Sequence, residues 1–172
     1  MIWSVFGDLR GVLWIGTESG LNRLDRRTGE FTLFKHDPKN PHSLSYDKVP
    51  GMREDPSGAL WIGTYGGGVE RFDPATGRFV HYRHDPKDPH SLDNDLVLSL
   101  FFDRKGVLWV GTQGGGLNRF DRTSGGFTAY RTSGPNYVNS IFEDRAGILW
   151  LGGFDGVTEF DPRAERLTGH RH

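Results

Sequence analysis

Residues 103–121 read "DRKGVLWVGTQGGGLNRFD": an apolar run, three glycines and a basic segment carrying an asparagine. A glycine-rich turn between a strand and a helix presents backbone N–H groups to phosphate, and Val107 to Val110 would supply the strand. The rest of that motif is missing. No Gly-Lys-Ser/Thr follows, the Gly-x-Gly-x-x-Gly spacing fails at Arg119, and "LNRFD" is too short for a helix. The stretch instead recurs, as "DLRGVLWIGTESGLNRLD" from residue 8, "DPSGALWIGTYGGGVERFD" from residue 55 and "DRAGILWLGGFDGVTEFD" from residue 144. Trp14, Trp61, Trp109 and Trp150 mark equivalent positions 47, 48 and 41 residues apart, the period of propeller-blade repeats. A feature present in every unit belongs to the unit, so the glycines are read as turns.

Each unit holds four short apolar or alternating segments, in the third "VLSLFFD" (97–103), "VLWVGT" (107–112), "GLNRFD" (116–121) and "GFTAYR" (126–131). An aspartate that bonds the backbone two residues on, followed by a glycine tolerating positive φ, closes a short hairpin. Asp8/Gly11, Asp55/Gly58, Asp103/Gly106 and Asp144/Gly147 fit that pattern. The second segment is nearly continuous in apolar character, as in a strand covered on both faces, and places its tryptophan between neighbouring sheets. The expected class is therefore all-β: a β-propeller of four four-stranded blades, at about 1–36, 49–84, 97–131 and 138–172 with linkers between. A β-sandwich does not require the same tryptophan and turns in each quarter of the chain.

Composition agrees with short strands and excludes several functions. The 172 residues include 25 glycines and 13% aromatics, and 21 basic residues balance 22 acidic ones with no block of either sign. Nucleic acid and anionic membrane surfaces are therefore not expected partners. There is no cysteine, hence no disulfide or thiolate chemistry. No apolar run approaches the ~20 residues of a membrane span, and "MIWSVFGD" does not read as a signal peptide.

The repeats resemble the two-component regulator propeller repeat, whose usual form is close to "D-x-x-G-x-L-W-I-G-T-x-G-G-G-L-N-R-F-D-x-x-T-G-x-F-x-x-Y", and the linkers "HDPKNPHSL" and "HDPKDPHSL" are similar to the family's. The resemblance covers essentially the whole chain. It implies seven-bladed rings in the extracytoplasmic, periplasmic sensor portions of bacterial hybrid two-component histidine kinases, many responsive to carbohydrate breakdown products. It therefore implies a non-catalytic ligand-sensing module in signal transduction, with other blades and domains of a longer protein as partners and an oligosaccharide or other small polar ligand. Departures are local. Blade one has "TESGL", one residue short, and blade four has Gly153 for threonine followed by Phe154 and Asp155. Tyr130 to Asp144 spans 14 positions where Tyr82 to Asp103 spans 21. Blade four ends in "AERLTGHRH", without the Thr-Gly turn. Four blades of a seven-bladed plan form a partial arc, and with Ile2 aligned to Val49, Val97 and Val138 no exchanged strand locks it. Self-association through the end blades is the expected result.

Successive turns of an antiparallel blade alternate between the two faces of the disc, so linkers and glycine turns share one face. There Glu18, Tyr65, Gln113 and Phe154 follow the common Gly-Thr or Gly-Gly pair and differ between blades. Asp47, Asp95 and Asn136 share a position two residues before the innermost strand. Aromatic platforms with hydrogen-bonding groups suit a neutral polar ligand such as a sugar, and these seven residues are the candidate ligand-binding set. No cofactor or metal is expected. His36 and His42, like His84 and His90, are separated by prolines and lack a third ligand, and Asp88, Asp93 and Asp95 lack the order of a calcium loop. Two other functions remain open: a purely structural protein–protein interaction propeller, and a propeller lyase of the streptogramin-inactivating type with His84 and Glu18 as the crude candidates.

Overall fold

The computed structural model describes residues 1–131, 136–154 and 156–171, so Asp155 and His172 of the fourth blade lie outside the described residues. The first sheet is formed by β1 (Ile2–Gly7), β2 (Leu13–Thr17), β3 (Gly20–Leu24) and β4 (Phe31–Phe34). The second has β5 (Gly51–Glu54), β6 (Leu60–Thr64), β7 (Gly68–Asp73) and β8 (Arg78–Tyr82). The third has β9 (Val97–Phe102), β10 (Leu108–Thr112), β11 (Gly116–Phe120) and β12 (Phe127–Tyr130). The fourth has β13 (Ser140–Glu143), β14 (Leu149–Gly153), β15 (Gly156–Asp161) and β16 (Arg166–Arg171). Each sheet is antiparallel and pairs its strands in chain order. The innermost strands follow one another, β1 against β5, β5 against β9 and β9 against β13. These are four propeller blades in an open arc, which disposes of the sandwich.

The hairpin aspartate does more than the sequence suggested. One oxygen of Asp103 accepts from Lys105 N at 2.9 Å and Val107 N at 2.8 Å, closing the turn. The other accepts from Trp109 Nε1 at 2.9 Å. The same clamp joins Asp8 to Trp14, Asp55 to Trp61 and Asp144 to Trp150 at 3.0–3.1 Å. A buried indole N–H without an acceptor costs about 1–3 kcal/mol, so the clamp lets Trp14, Trp61 and Trp109 enter apolar interfaces. At Asp55, burial pushes the carboxyl up, but the bonds from Ser57, Trp61 and Ala59 outweigh it and hold the group below its ordinary value.

The core is divided among the three blade interfaces. Trp14 meets Phe72 edge-on at 5.6 Å, Trp61 meets Phe120 at 4.8 Å, and Trp109 meets Phe160 at 5.5 Å. Trp14, Trp61 and Trp109 thus each pack on the phenylalanine of the next blade's third strand, inside one of three separate apolar clusters. The glycine two residues after the tryptophan is set by the same interface. A Cβ on Gly16, Gly63 or Gly111 would overlap Val49, Val97 or Val138, the valines at the inner edge of the following blade. Ser4 Oγ and Ser99 Oγ reinforce this approach by donating to the Val49 and Val138 carbonyls at 3.1 and 2.8 Å. In blade four, Glu165 stands at φ +50° where the other blades place Gly29, Gly77 and Gly125. Left-handed backbone costs a non-glycine residue roughly 1–2 kcal/mol. Its carboxylate offsets that by reaching back to blade three, accepting from Arg119 at 3.1 Å and Tyr130 OH at 2.7 Å.

The arc leaves one face of each end blade without a following sheet among the described residues. On blade one, Val5 and Phe31 are 59% and 63% exposed, beside Trp3 and Leu33; on blade four Phe142 is 63% exposed. Their counterparts inside the arc, such as Met52 and Phe79, are buried.

Two outcomes follow from this packing. Trp109→Ala removes a fully buried ring and should lower unfolding free energy by about 3–5 kcal/mol, whereas Trp3→Ala on the open face should cost less than about 1 kcal/mol; chemical denaturation compares them, and equal midpoints would remove Trp109 from the interblade core. Light scattering should show concentration-dependent association that Val5→Lys and Phe142→Lys reduce. A monodisperse wild-type monomer with one concentration-independent melting transition would instead mean that the end faces do not drive assembly.

Candidate functional site

The three-glycine turn of blade three donates to protein backbone. Gly114 N and Gly116 N both reach the Asn136 carbonyl, at 3.0 and 3.1 Å. Gly66 N and Gly68 N meet the Asp95 carbonyl at 3.0 Å, and Gly20 N meets the Asp47 carbonyl at 2.8 Å. Gly68 and Gly116 sit at φ +80°, where only glycine is unstrained, and Thr17, Thr64 and Thr112 close the turns by donating to the carbonyls of Gly20, Gly68 and Gly116. These bonds place each glycine turn and the linker that follows it on one face of the arc.

They also assign Asp47 and Asp95 a structural part. Asp47 Oδ1 accepts from His36 N at 2.8 Å and Asp95 Oδ1 from His84 N at 2.7 Å, so each carboxylate holds the start of its own linker. Asn136 adopts φ +55° and contributes its carbonyl to the Gly114–Gly116 turn. Glu18 is exposed and lies 3.6 Å from the Met1 amino group. Of the seven candidates, Tyr65, Gln113 and Phe154 are drawn into one strip.

Tyr65 OH donates to Gln113 Oε1. Gln113 Nε2 donates to Tyr137 OH at 3.4 Å, and the Tyr137 ring meets Phe154 edge-on at 5.0 Å. Lys48 Nζ stands 5.9 Å from the Tyr65 ring centroid. The strip crosses blades two, three and four and alternates aromatic faces with amide and hydroxyl groups. Its positions follow from one backbone rule: the residue after the Gly-Thr pair bonds the residue before the innermost valine, Tyr65 N to Lys48 O at 2.9 Å and Gln113 N to Leu96 O at 2.8 Å. Sequence reasoning found the first member of each pair and missed Lys48, Leu96 and Tyr137. The available signal was their variation immediately before the invariant Val49, Val97 and Val138.

The linker histidines are occupied locally. His36 Nδ1 lies 2.9 Å from the Leu44 carbonyl and His84 Nδ1 2.8 Å from the Leu92 carbonyl, pinning the buried Leu44 and Leu92 under the loop. Among the described residues no contact joins His84 to Glu18, and no three His, Asp or Glu side chains converge on a metal position. No described helix is long and apolar enough to cross a membrane.

Comparison with known proteins agrees with this architecture. Residues 43–66, 91–114 and 132–155 match the family described as two component regulator propeller, each match running from the linker through the glycine turn. No curated protein matches significantly. Among solved structures, the extracellular domain of the hybrid two component system BT3049 from B. thetaiotaomicron is 28% identical at a TM-score of 0.85, over 97% of this chain and 23% of that one. The extracellular domain of the one component system BT4673 from the same organism is 26% identical at a TM-score of 0.81, over 97% and 24%. Virginiamycin B lyase from Staphylococcus aureus, 17% identical at a TM-score of 0.74 over 99% of this chain and 55% of its own, shares the fold. The chain thus spans less than a quarter of the extracellular domains it resembles, and three segments within its four blades match the two component regulator propeller family.

Proposed function

We propose that the chain is a ligand-reading part of an extracytoplasmic sensor in a two-component signalling protein, non-catalytic in itself, and that its ligand is a neutral carbohydrate. The observation that carries this is the continuous strip Lys48, Tyr65, Gln113, Tyr137 and Phe154 on the glycine-turn face. Aromatic rings stack on the C–H faces of sugar rings while amide and hydroxyl groups order the hydroxyls, and a rigid scaffold holds both in place. Likeness to the extracellular domains of a hybrid two component system and a one component system supports the sensor role and the extracytoplasmic, periplasmic setting. Signal output then belongs to other domains of a longer protein. Catalysis is less well supported: the likeness to the lyase is one of fold, and His84 holds the Leu92 carbonyl within its linker.

Calorimetric titration with a panel of neutral oligosaccharides tests the reading. A binding sugar should lose about tenfold or more in affinity on Tyr65→Ala or Gln113→Ala and keep it on Arg104→Ala, which lies on the opposite, Asp-turn face. Loss with Arg104→Ala and retention with Tyr65→Ala would place the site on the other face. Absence of binding across the panel would reject the ligand class.

A further inference from the structure

The third strand of each blade carries Asn22, Glu70, Asn118 or Thr158 at one equivalent position. Asn118 explains the asparagine: it is fully buried, and its Oδ1 accepts from Asp93 N at 3.1 Å, fixing the linker to the blade. In blade two Glu70 Oε1 does the same work, accepting from Ser45 N at 2.7 Å and from Ser45 Oγ. A glutamate brings a second oxygen that the repeat has no partner for. Glu70 is fully buried, and its Oε2 faces His81 Nδ1 at 3.7 Å. Both atoms are buried, and neither has a hydrogen-bond partner among the described residues.

His81 Nε2 lies 2.9 Å from the Pro41 carbonyl, which only accepts, so Nε2 carries the ring hydrogen and Nδ1 presents a lone pair. An ionised Glu70 would oppose that lone pair with its own inside an apolar setting, a costly arrangement. One added proton resolves it, either as a Glu70 O–H directed at Nδ1 or as an imidazolium beside a carboxylate. We infer that Glu70 and His81 share a single proton, and that this proton positions Tyr65 and Lys48 by controlling what the Ser45 hydroxyl binds.

The connection is short. Ser45 Oγ has one hydrogen and three acceptors within reach, Glu70 Oε1, the Gly67 carbonyl at 3.1 Å and Thr64 Oγ1 at 3.4 Å. A charged Glu70 holds that hydrogen strongly, and a neutral one releases it to the glycine turn, to the Gly67 carbonyl or to Thr64 Oγ1, which itself accepts from Gly67 N at 3.1 Å. Gly66 and Gly67 follow Tyr65 directly; a Cβ on Gly67 would overlap Ser45 Oγ, and one on Gly66 would crowd the Tyr46 ring. Lys48, three residues after Ser45, accepts Tyr65 N through its carbonyl. Glu70 is therefore a positioning residue for the proposed ligand face, and its influence on binding rests on that reading.

Burial favours a proton on Glu70 near neutrality. Burial raises Glu70 from 4.5 to about 7 against the lowering effects of the Ser45 bonds and the Arg83 charge. Burial lowers His81, opposed by the Pro41 bond and assisted by the positive charges of Arg83, His42 and His36. The raised Glu70 contributes stability that is complete below 4.5 and lost as pH rises to about 7. The lowered His81 contributes stability that is present above 6.5 and lost as pH falls. The one-proton lock opens on the alkaline side, as pH rises through about 7 and Glu70 ionises.

The test needs no ligand, so failure of the carbohydrate reading leaves it intact. In the wild-type chain, the Glu70 carboxyl carbon followed by NMR should titrate near pH 7, and the backbone amides of Ser45, Tyr65 and Gly67 should shift with the same midpoint. Glu70→Gln, which keeps the acceptor and supplies an N–H toward Nδ1, should abolish that shared midpoint. It should also remove a fall of roughly 5 °C in wild-type Tm between about pH 5.5 and about pH 8.5. A Glu70 midpoint in the ordinary carboxylate range, or Tyr65 and Gly67 amides that ignore its titration, overturns the proposal. The wild-type titration decides the matter even if the variant does not fold.

Discussion

The hydrogen bond from the tryptophan indole to the hairpin aspartate is the constraint on which the architecture rests. A tryptophan is the largest apolar contribution a blade can make to its neighbour, yet it carries an N–H that cannot be buried alone. Asp8, Asp55, Asp103 and Asp144 answer that need with one carboxyl oxygen while the other closes the β-hairpin leading into the tryptophan strand. Hairpin closure and interblade packing therefore form one unit. Because the next blade offers a phenylalanine edge and a valine that fits over the Trp-x-Gly glycine, each unit is complementary to its successor, and the arc grows by repetition of one interface.

On the opposite side of the disc the same economy of backbone contacts releases side chains for function. Glycine turns and linkers are joined carbonyl to N–H, by bonds indifferent to side-chain identity. Tyr65, Gln113 and Phe154 vary without disturbing the blade, as do Lys48, Leu96 and Tyr137 beneath them. A strip that differs from blade to blade is thus supported by a framework that does not. Blade two adds a second kind of variation, placed inside rather than at the surface. There Glu70 replaces the amide used by Asn118, and the linker lock gains a proton.

The sequence by itself determined the blade. Four copies of one pattern, with tryptophans 47, 48 and 41 residues apart, are enough to set strand number, turn positions and the interblade tryptophan, because each depends on contacts within one repeat or between adjacent ones. The division into two faces was also legible, since turn alternation follows from antiparallel pairing alone. The tertiary structure decided which variable residues meet. Asp47 and Asp95 share a sequence position with an obvious ligand-binding chemistry, yet their carboxylates close on His36 N and His84 N. Tyr65 reaches Gln113 and, through it, Tyr137 because the rotation from one blade to the next brings together side chains far apart in the chain, whereas His81 stands opposite Glu70 on the neighbouring strand of the same blade, where packing leaves two of their atoms orphaned. A repeat reveals what its copies have in common; the contacts that their differences make between blades depend on packing geometry that no single repeat contains.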